Sequence, residues 1–419
     1  MVIGGSVAGL ITATVLSKHF AKVTVIDGDT LGSNLEARKA TPQGHHVHGL
    51  LSSGWENVQK IFPGIEKELK KNGAHWVNFG KEFRWHHFGK VKAQFEEPMH
   101  GPFMSRACFE VTLFDRVKTL PNVEIIQQSK VVDIFGTHKN IEGVKTDQGV
   151  TILADFLVDA SGRRSNTAQS LEKIGLPPIK KKTLAAGLRY ASYRFTPSPE
   201  LHRKWKALFV TPKPPETKAA AIFPISNGQW IVTVSGREND IMPTNLEEFL
   251  AYTKQIGTPE VHEALQGANA ASTLKHFRYK ESRHFCYEKA DMPPNLVVLG
   301  DAYCSFNPIF GQGMTVCAIE ATALDKGLSK NSFDSNLFYK SVSKIVSHAW
   351  DMISVEDMRH KYLHPNPPFS IRCKQWLSAK VYDKTSYDGE LTRKFYEVIH
   401  FTRPASDLRK PSMLWKILR

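Results

Sequence analysis

The sequence predicts an α/β protein: a doubly wound, mostly parallel sheet built from several chain segments, an inserted antiparallel β-sheet, and a helical C-terminal tail. Three observations predict it. Val297–Ala321 reads VVLGDAYCSFNPIFGQGMTVCAIEA. There a short apolar strand ends in Gly300-Asp301, a loop carries Pro308, Gly311 and Gly313, and an apolar helix follows over Met314–Leu324. A strand, an acidic residue at its end, a glycine loop and a helix N-terminus form an anion- and cofactor-binding corner. Met1–Asp29 contains a second corner of this kind. Between the two, residues 184–240 change to short β-like runs, with the hairpin signal Asn227-Gly228.

The totals fit this division. A chain of 419 residues is too long for one small core and implies two or three packed units. The net charge of +14 points to anionic partners such as phosphates, nucleic acid or an anionic membrane surface, with a basic but inert surface as the alternative. Cys108, Cys286, Cys304, Cys317 and Cys373 are scattered without a CxxC pair, so neither a zinc site nor a disulfide framework is expected, and reduced thiols in the cytoplasm fit best. No uncharged apolar stretch of about 18 residues is present, so no spanning helix is expected. Met1–Leu16 lacks a basic n-region and contains a glycine loop, which excludes a signal peptide. Met1-Val2-Ile3 is short for a first strand and leaves room for a few residues ahead of it.

Met1–Asp29 reads as strand, turn, helix, strand. Val2-Ile3 enters the turn Gly4-Gly5-Ser6-Val7-Ala8-Gly9, Leu10–Phe20 has helical spacing, and the β-branched run Val23–Ile26 ends at Asp27. This is the dinucleotide fingerprint G-x-G-x-x-G with Ser6 at the middle position. Gly4 permits the tight turn, Ser6 still lets the backbone approach a pyrophosphate, Gly9 permits close helix–strand packing, and Asp27 stands where a carboxylate binds ribose hydroxyls. Next comes a Pro/Gly loop, Arg38–Leu51, entering a helix. Its three histidines, His45, His46 and His48, have no nearby carboxylate or cysteine to complete a metal site, so they read as polar groups beside a cofactor or on the surface.

Phe83–Phe95 alternates aromatic and polar residues around Phe88-Gly89-Lys90 and predicts a hairpin that walls an apolar pocket. A nucleic-acid platform would need further parts that the chain does not show, so no nucleic-acid partner is expected. A helix over Met104–Leu120, a strand at Val123–Ile126 and short strands over Lys130–Thr146 lead to Phe156–Val158. That strand runs into the turn Asp159-Ala160-Ser161-Gly162-Arg163-Arg164-Ser165. Ala185–Phe195, Ala207–Val210, Ala219–Pro224 and Gln229–Ser235 form the inserted sheet. Leu246–Leu265 reads as helix, and Arg278–Tyr287 as the strand that returns toward Val297. The parallel-sheet domain thus occupies residues 1–80, 101–180 and 286–335, interrupted by a hairpin at 81–100 and an antiparallel β domain at 181–285. Residues 336–419 form a basic helical tail, beginning with a helix over Ser332–His360. Residues 361–419 hold about twelve Lys/Arg against about five Asp/Glu. Met413-Leu414-Trp415 and Ile417-Leu418, with Lys416 and Arg419 among them, would either pack on the body or lie on a membrane interface.

Three stations line up: GGSVAG with Asp27, the DASGRRS turn, and GDAYCSFNPIFGQG. Their order and spacing over residues 1 to about 330 resemble the FAD-dependent monooxygenases of the para-hydroxybenzoate hydroxylase and squalene epoxidase type. The stretch Arg38–His48 looks like the R-x-x-x-P-Q-G-x-H-x-H loop of a bacterial branch related to squalene and polyether epoxidases. The resemblance implies a Rossmann-like FAD-binding domain. Gly4, Ser6 and Gly9 would surround the pyrophosphate and Asp27 the ribose, with Arg38 in the adjoining loop. Arg106 matches the family's arginine at the start of the second helix, and Asp301 its aspartate near the ribityl chain or phosphates. Pro308, Gly311, Gly313 and Met314 would lie against the isoalloxazine ring, where a helix N-terminus stabilises negative charge on reduced flavin. The family's common D-G pair is replaced by Ser161-Gly162, with Asp159 two residues earlier. NADPH or NADH is therefore weighed against a separate flavin reductase as electron donor.

The activity implied is that of a monooxygenase. Reduced FAD meets O2, forms a flavin hydroperoxide and transfers oxygen to an alkene or aromatic ring in an apolar pocket, by hydroxylation or epoxidation. The protein excludes water and orients a small apolar substrate. His46 and His48 are the candidate catalytic residues, in polar roles near the flavin, and no residue is assigned to a metal. A reductase or saturase of isoprenoid double bonds on the same scaffold is the alternative, separated from the first by dependence on O2. A halogenase is disfavoured, because no WxWxIP-like stretch is present. The expected location is cytoplasmic, with a peripheral contact at the inner membrane face through the basic tail as the alternative.

Overall fold

The computed structural model describes every residue except Ser33, Leu201, Asn331 and Arg419. Its centre is a five-stranded parallel sheet in the order Leu296–Val298, Leu157–Asp159, Val2–Ile3, Val23–Ile26, Val123–Ile126. The first four of these strands are buried runs of apolar, mostly β-branched residues, apart from Asp159 and the half-buried Thr24, as a sheet covered on both faces requires. Register places Ile3 beside Asp159 and Asp159 beside Val298. The three loops that the sequence singles out therefore leave the same edge of the sheet side by side. The helices Val7–Leu16 and Gly313–Leu328 start at this edge and pack against one another. Val7–Leu16 is buried on nearly all sides, which is why its sequence carries little amphipathic pattern.

A three-stranded antiparallel sheet, Val131–Thr137, Asn140–Thr146 and Thr151–Leu153, lies between Val123–Ile126 and Leu157–Asp159 in the chain. The second large sheet runs Cys304–Ser305, Lys275–Phe285, Lys181–Thr196, Trp230–Arg237, Ala219–Pro224, Ala207–Thr211, Phe83–His87, Lys90–Val91, with Asn269–Ala270 paired to Lys181–Thr196. The Asn227-Gly228 turn forms as its sequence signals, with both residues at positive φ (62° and 66°).

Three local expectations change. Phe83–His87 is only nominally a hairpin strand. Its return strand is the two residues Lys90–Val91, and its main partner is Ala207–Thr211, in parallel. A parallel partner more than a hundred residues away leaves no turn signal to read. The expected helix Leu246–Leu265 splits into Leu246–Thr253 and Glu260–Glu263, because Gly257 and Pro259 interrupt it. The strand expected over Ala185–Phe195 extends to sixteen residues, Lys181–Thr196, and absorbs a bulge between Ala185 and Leu188 where Gly187 adopts φ +57°.

The tail consists of helices Ser335–Asp357, Phe369–Lys384, Gly389–Ile399 and Pro411–Leu418. It packs on the body: Tyr382, Phe395, Tyr396, Met413 and Ile417 share one core with Phe79, Trp85 and Phe103. Of the end considered for a membrane contact, Met413 and Ile417 face inward and Trp415 outward, while Arg419 lies outside the described residues. Among the described residues no helix is long and apolar enough to cross a membrane.

Candidate functional site

The first corner is built by close approach. Gly4 has φ +98°, and a Cβ there would stand 2.6 Å from the Ala160 carbonyl oxygen. A Cβ on Gly9 would collide with the carbonyl oxygen of Gly4, so only glycine allows the helix to start this close to the strand. Ser6 precedes the helix without capping it. Its hydroxyl donates to Glu110 Oε2 (3.0 Å) and accepts from Arg106 Nη2 (2.9 Å). Asp27 accepts from the Gly5 amide (2.6 Å) and the Asp29 amide (2.8 Å). Arg38 lies 3.7 Å from Asp27 and 3.3 Å from Asp29, and donates through Nε to Glu110 Oε1 (2.6 Å). Glu110 was not singled out from the sequence, yet its buried carboxylate holds Arg38, Ser6 and Arg106 together. Its signal was its place one turn after Arg106 on the expected helix, where i,i+4 charges meet.

The second and third corners face the first. Asp301 opens to the groove from the turn Gly300–Ala302, within van der Waals reach of the positions where Gly162 and Gly313 would carry side chains (3.9 and 3.7 Å). Desolvation by the groove walls raises its carboxyl above the usual range, against the pull of Arg163 and Arg106. Helix Gly313–Leu328 starts without a side-chain cap, so its first amides point into this space, beside Pro308, Gly311 and Met314. Beneath the corner, Glu320 accepts the Gly300 amide (2.7 Å), and burial pushes its carboxyl up to about 8. Asp159 spends its oxygens on its own turn, accepting from the Ser161 amide (2.8 Å), Ser161 Oγ (2.5 Å), Ser165 Oγ (2.5 Å) and Thr167 Oγ1 (2.6 Å). It shapes the turn and leaves Ser161 and Gly162 at the groove.

The histidine loop bridges the groove and the second sheet. His46 pairs through Nδ1 with Ser192 Oγ (2.7 Å), Ser192 pairs with Thr233 Oγ1 (2.6 Å), and the Val47 amide donates to Thr233 Oγ1 (3.1 Å). The His46 ring is buried against Tyr190 and Phe277, with ring centroids at 5.6 and 5.7 Å. His48 Nδ1 meets the carbonyl of His46 (3.0 Å). Burial pushes both imidazoles down to about 3, assisted for His46 by His48 and for His48 by Arg106, so both are neutral near pH 7.

A cavity of about 370 Å³ adjoins the groove. One side of it is the loop Gly49–Leu51 and the turn Pro308–Gln312. Its far side is apolar and aromatic, with Phe83, Phe103 and Phe223 from the sheets and Tyr396 and His400 from the tail. The tail's share in this wall was missed because helices Phe369–Lys384 and Gly389–Ile399 carry no chemical motif. His400 ties the tail to helix Ser52–Ile61, accepting from the Ser52 amide at Nδ1 (3.2 Å). The fold also gathers His284, Cys286 and Glu288, far from any metal motif in the sequence, with ligand atoms within 4.8 Å of one another. Glu288 there is 3.4 Å from His284 Nε2 and accepts from Tyr303 OH (3.1 Å).

The groove fits FAD. Its glycines make room for a pyrophosphate at two helix starts, Asp27 keeps lone pairs for ribose hydroxyls, and Arg106 Nε is buried there without a hydrogen-bond partner. The chain is 26% identical over 390 residues to Protein Rv3254 of Mycobacterium tuberculosis, covering 88% of this chain and 81% of that protein. Its fold is similar to that of the flavin-dependent brominase Bmp2 (TM-score 0.69, 14% identity, 100% of this chain and 98% of that one). It is similar as well to PqsL, a probable FAD-dependent monooxygenase from Pseudomonas aeruginosa (TM-score 0.65, 16% identity, 87% and 98%). The FAD binding domain family matches residues 1–332, the stretch that holds all three corners, and the chain belongs to that family as an FAD-dependent oxidoreductase.

Proposed function

We propose that the protein is a monooxygenase that places one oxygen atom of O2 on an apolar alkene or aromatic substrate, by hydroxylation or epoxidation. The observation that carries this reading is the aromatic cavity beside Pro308–Gln312. Bound FAD, once reduced, supplies the activation of O2 there. The chain's own part is to bind, orient and exclude water. Ser6 and Arg106 would hold the phosphates, Asp27 and Arg38 the ribose end, and Asp301 the middle of the cofactor. Pro308, Gly311, Gly313 and Met314 would lie against the ring, where the uncapped helix start would favour negative charge. His46 and His48 would serve as neutral polar groups on the connecting loop beside the cavity. The epoxidase-like branch is supported by Arg38–His48.

NADPH or NADH, or a separate reductase, supplies the electrons. A peripheral membrane contact through the tail is supported by the exposed stripe Phe369, Arg372, Trp376 and Lys380 on one face of its helix. The test is the visible spectrum of the purified protein, bleaching by NAD(P)H, and recovery with O2. Transfer of label from ¹⁸O2 to an apolar acceptor supports the reading. Product formed equally well without O2 replaces it with a reductase or saturase.

A further inference from the structure

The family match ends at residue 332, yet the turn that faces the cavity is held from beyond it. Asn307, fully buried, starts the turn Pro308–Phe310 and accepts the Ile309 amide at Oδ1 (3.1 Å). Its Nδ2 donates to both oxygens of Asp357, at 2.8 and 3.1 Å. Asp357 is the last residue of the tail helix Ser335–Asp357 and is also fully buried. The same carboxylate accepts from Arg237 Nη1 (3.3 Å) and Nη2 (3.2 Å), at the end of strand Trp230–Arg237. Arg237 lines the cavity and also donates to the carbonyl of Ala186, within the bulge of Lys181–Thr196. His364 donates to the neighbouring bulge carbonyl, Ala185 (2.9 Å). One carboxylate from the tail thus joins the turn, the cavity wall and the bulge.

We propose that Asp357 is a positioning residue of the flavin site: through Asn307 it sets the Pro308–Gly311 turn, and by pairing with Arg237 it cancels a positive charge that would otherwise act on the cavity and the cofactor. This rests on the FAD reading above. A fully buried carboxylate with an arginine and an amide as its partners is costly to desolvate, and an uncharged residue would pack there at lower cost. What the charge adds is a fixed turn geometry and a neutral cavity wall. Burial pushes the Asp357 carboxyl up, and Arg237, Asn307 and His364 pull it back toward the charged form; Tyr190, Tyr362 and His360, whose imidazole burial pushes down to about 3, are also nearby. None of these replaces the carboxylate.

The experiment compares the full-length holoprotein with Asp357→Asn and with the double variant Arg237→Met/Asp357→Leu. Two quantities are read: the flavin midpoint potential and hydrogen exchange at the Ile309–Gly311 amides. Asp357→Asn leaves Arg237 uncompensated, so the potential shifts positive, because a nearby cation favours anionic reduced flavin. The turn amides exchange about tenfold faster, as the loss of one charge-assisted hydrogen bond implies. The double variant removes both charges, so its potential returns toward that of the parent while the turn amides stay fast. A merely structural role would move stability but not potential. An Asp357→Asn holoprotein with unchanged potential and exchange overturns the proposal. So does a double variant whose potential stays as positive as that of the single one. Failure of both variants to fold overturns it too, since the carboxylate would then serve the fold and not the site. A parent chain that takes up no FAD sinks the FAD reading, and this inference with it.

Discussion

At the scale of single residues, the groove is lined by a few charged side chains. Arg106 reaches Ser6 through Nη2, stands 3.6 Å from Glu110 and keeps a buried Nε without a hydrogen-bond partner. Arg106→Met is expected to weaken FAD binding about tenfold to a hundredfold, the worth of one or two charge-assisted hydrogen bonds, as read by flavin fluorescence titration. Glu320 gives a pH dependence with a definite sign. Its carboxyl is raised from the ordinary 4.5 to about 8, so its contribution to stability is complete below about 4.5 and is lost as pH climbs to about 8. Glu320→Gln keeps an acceptor for the Gly300 amide and removes this loss. The variant is expected to melt higher than the parent at pH 8.5 and to converge on it at pH 5, in paired thermal scans. A parent and variant with parallel pH profiles would refute the assignment.

At the scale of elements, two turns carry most of the local information. Gly9 lies one Cβ away from collision with Gly4, and a helix start cannot retreat without opening the strand behind it. Gly9→Ala is expected to abolish FAD uptake and lower the thermal midpoint, because the offending atom is backbone and cannot swing aside. The Asn227-Gly228 turn has both residues at positive φ. Asn227→Ala is expected to cost about 1 kcal/mol in denaturant unfolding and to leave FAD affinity unchanged. These two elements are legible in the amino-acid sequence, because a glycine at a tight approach and an Asn-Gly pair each state a backbone requirement. Phe83–His87 is legible only as a strand. Its parallel partner, Ala207–Thr211, is set by packing across the sheet.

At the scale of the whole molecule, the tail is part of the site. Tyr382, Phe395 and Tyr396 pack on the sheet, His400 bonds to Ser52, and Asp357 bonds to Asn307 at the start of the Pro308–Phe310 turn. A chain ending at residue 334 is expected to expose the aromatic side of the cavity, bind an apolar dye such as ANS, and unfold with lower cooperativity than the full chain. A truncated chain that melts like the parent and leaves the dye dark would show the tail to be an appendage. The second sheet contributes the other wall, and Ala219 and Ala221, on one face of their strand, leave space where larger side chains would fill it.

The sequence by itself determined the three corners, their order, the parallel sheet beneath them and the cofactor they accept. Each of these rests on local backbone demands: glycines at close approaches, short β-branched strands, helix starts that bind anions. Only the tertiary structure decided that Glu110 gathers Arg38, Ser6 and Arg106, that His46 is turned onto Ser192, and that Asp159 is consumed by its own turn. It also decided that the tail lines the cavity and sends Asp357 to Asn307. These depend on which side chains meet across long stretches of chain. That is fixed by burial and by the need to satisfy every buried polar group at once, which no spacing within one segment records.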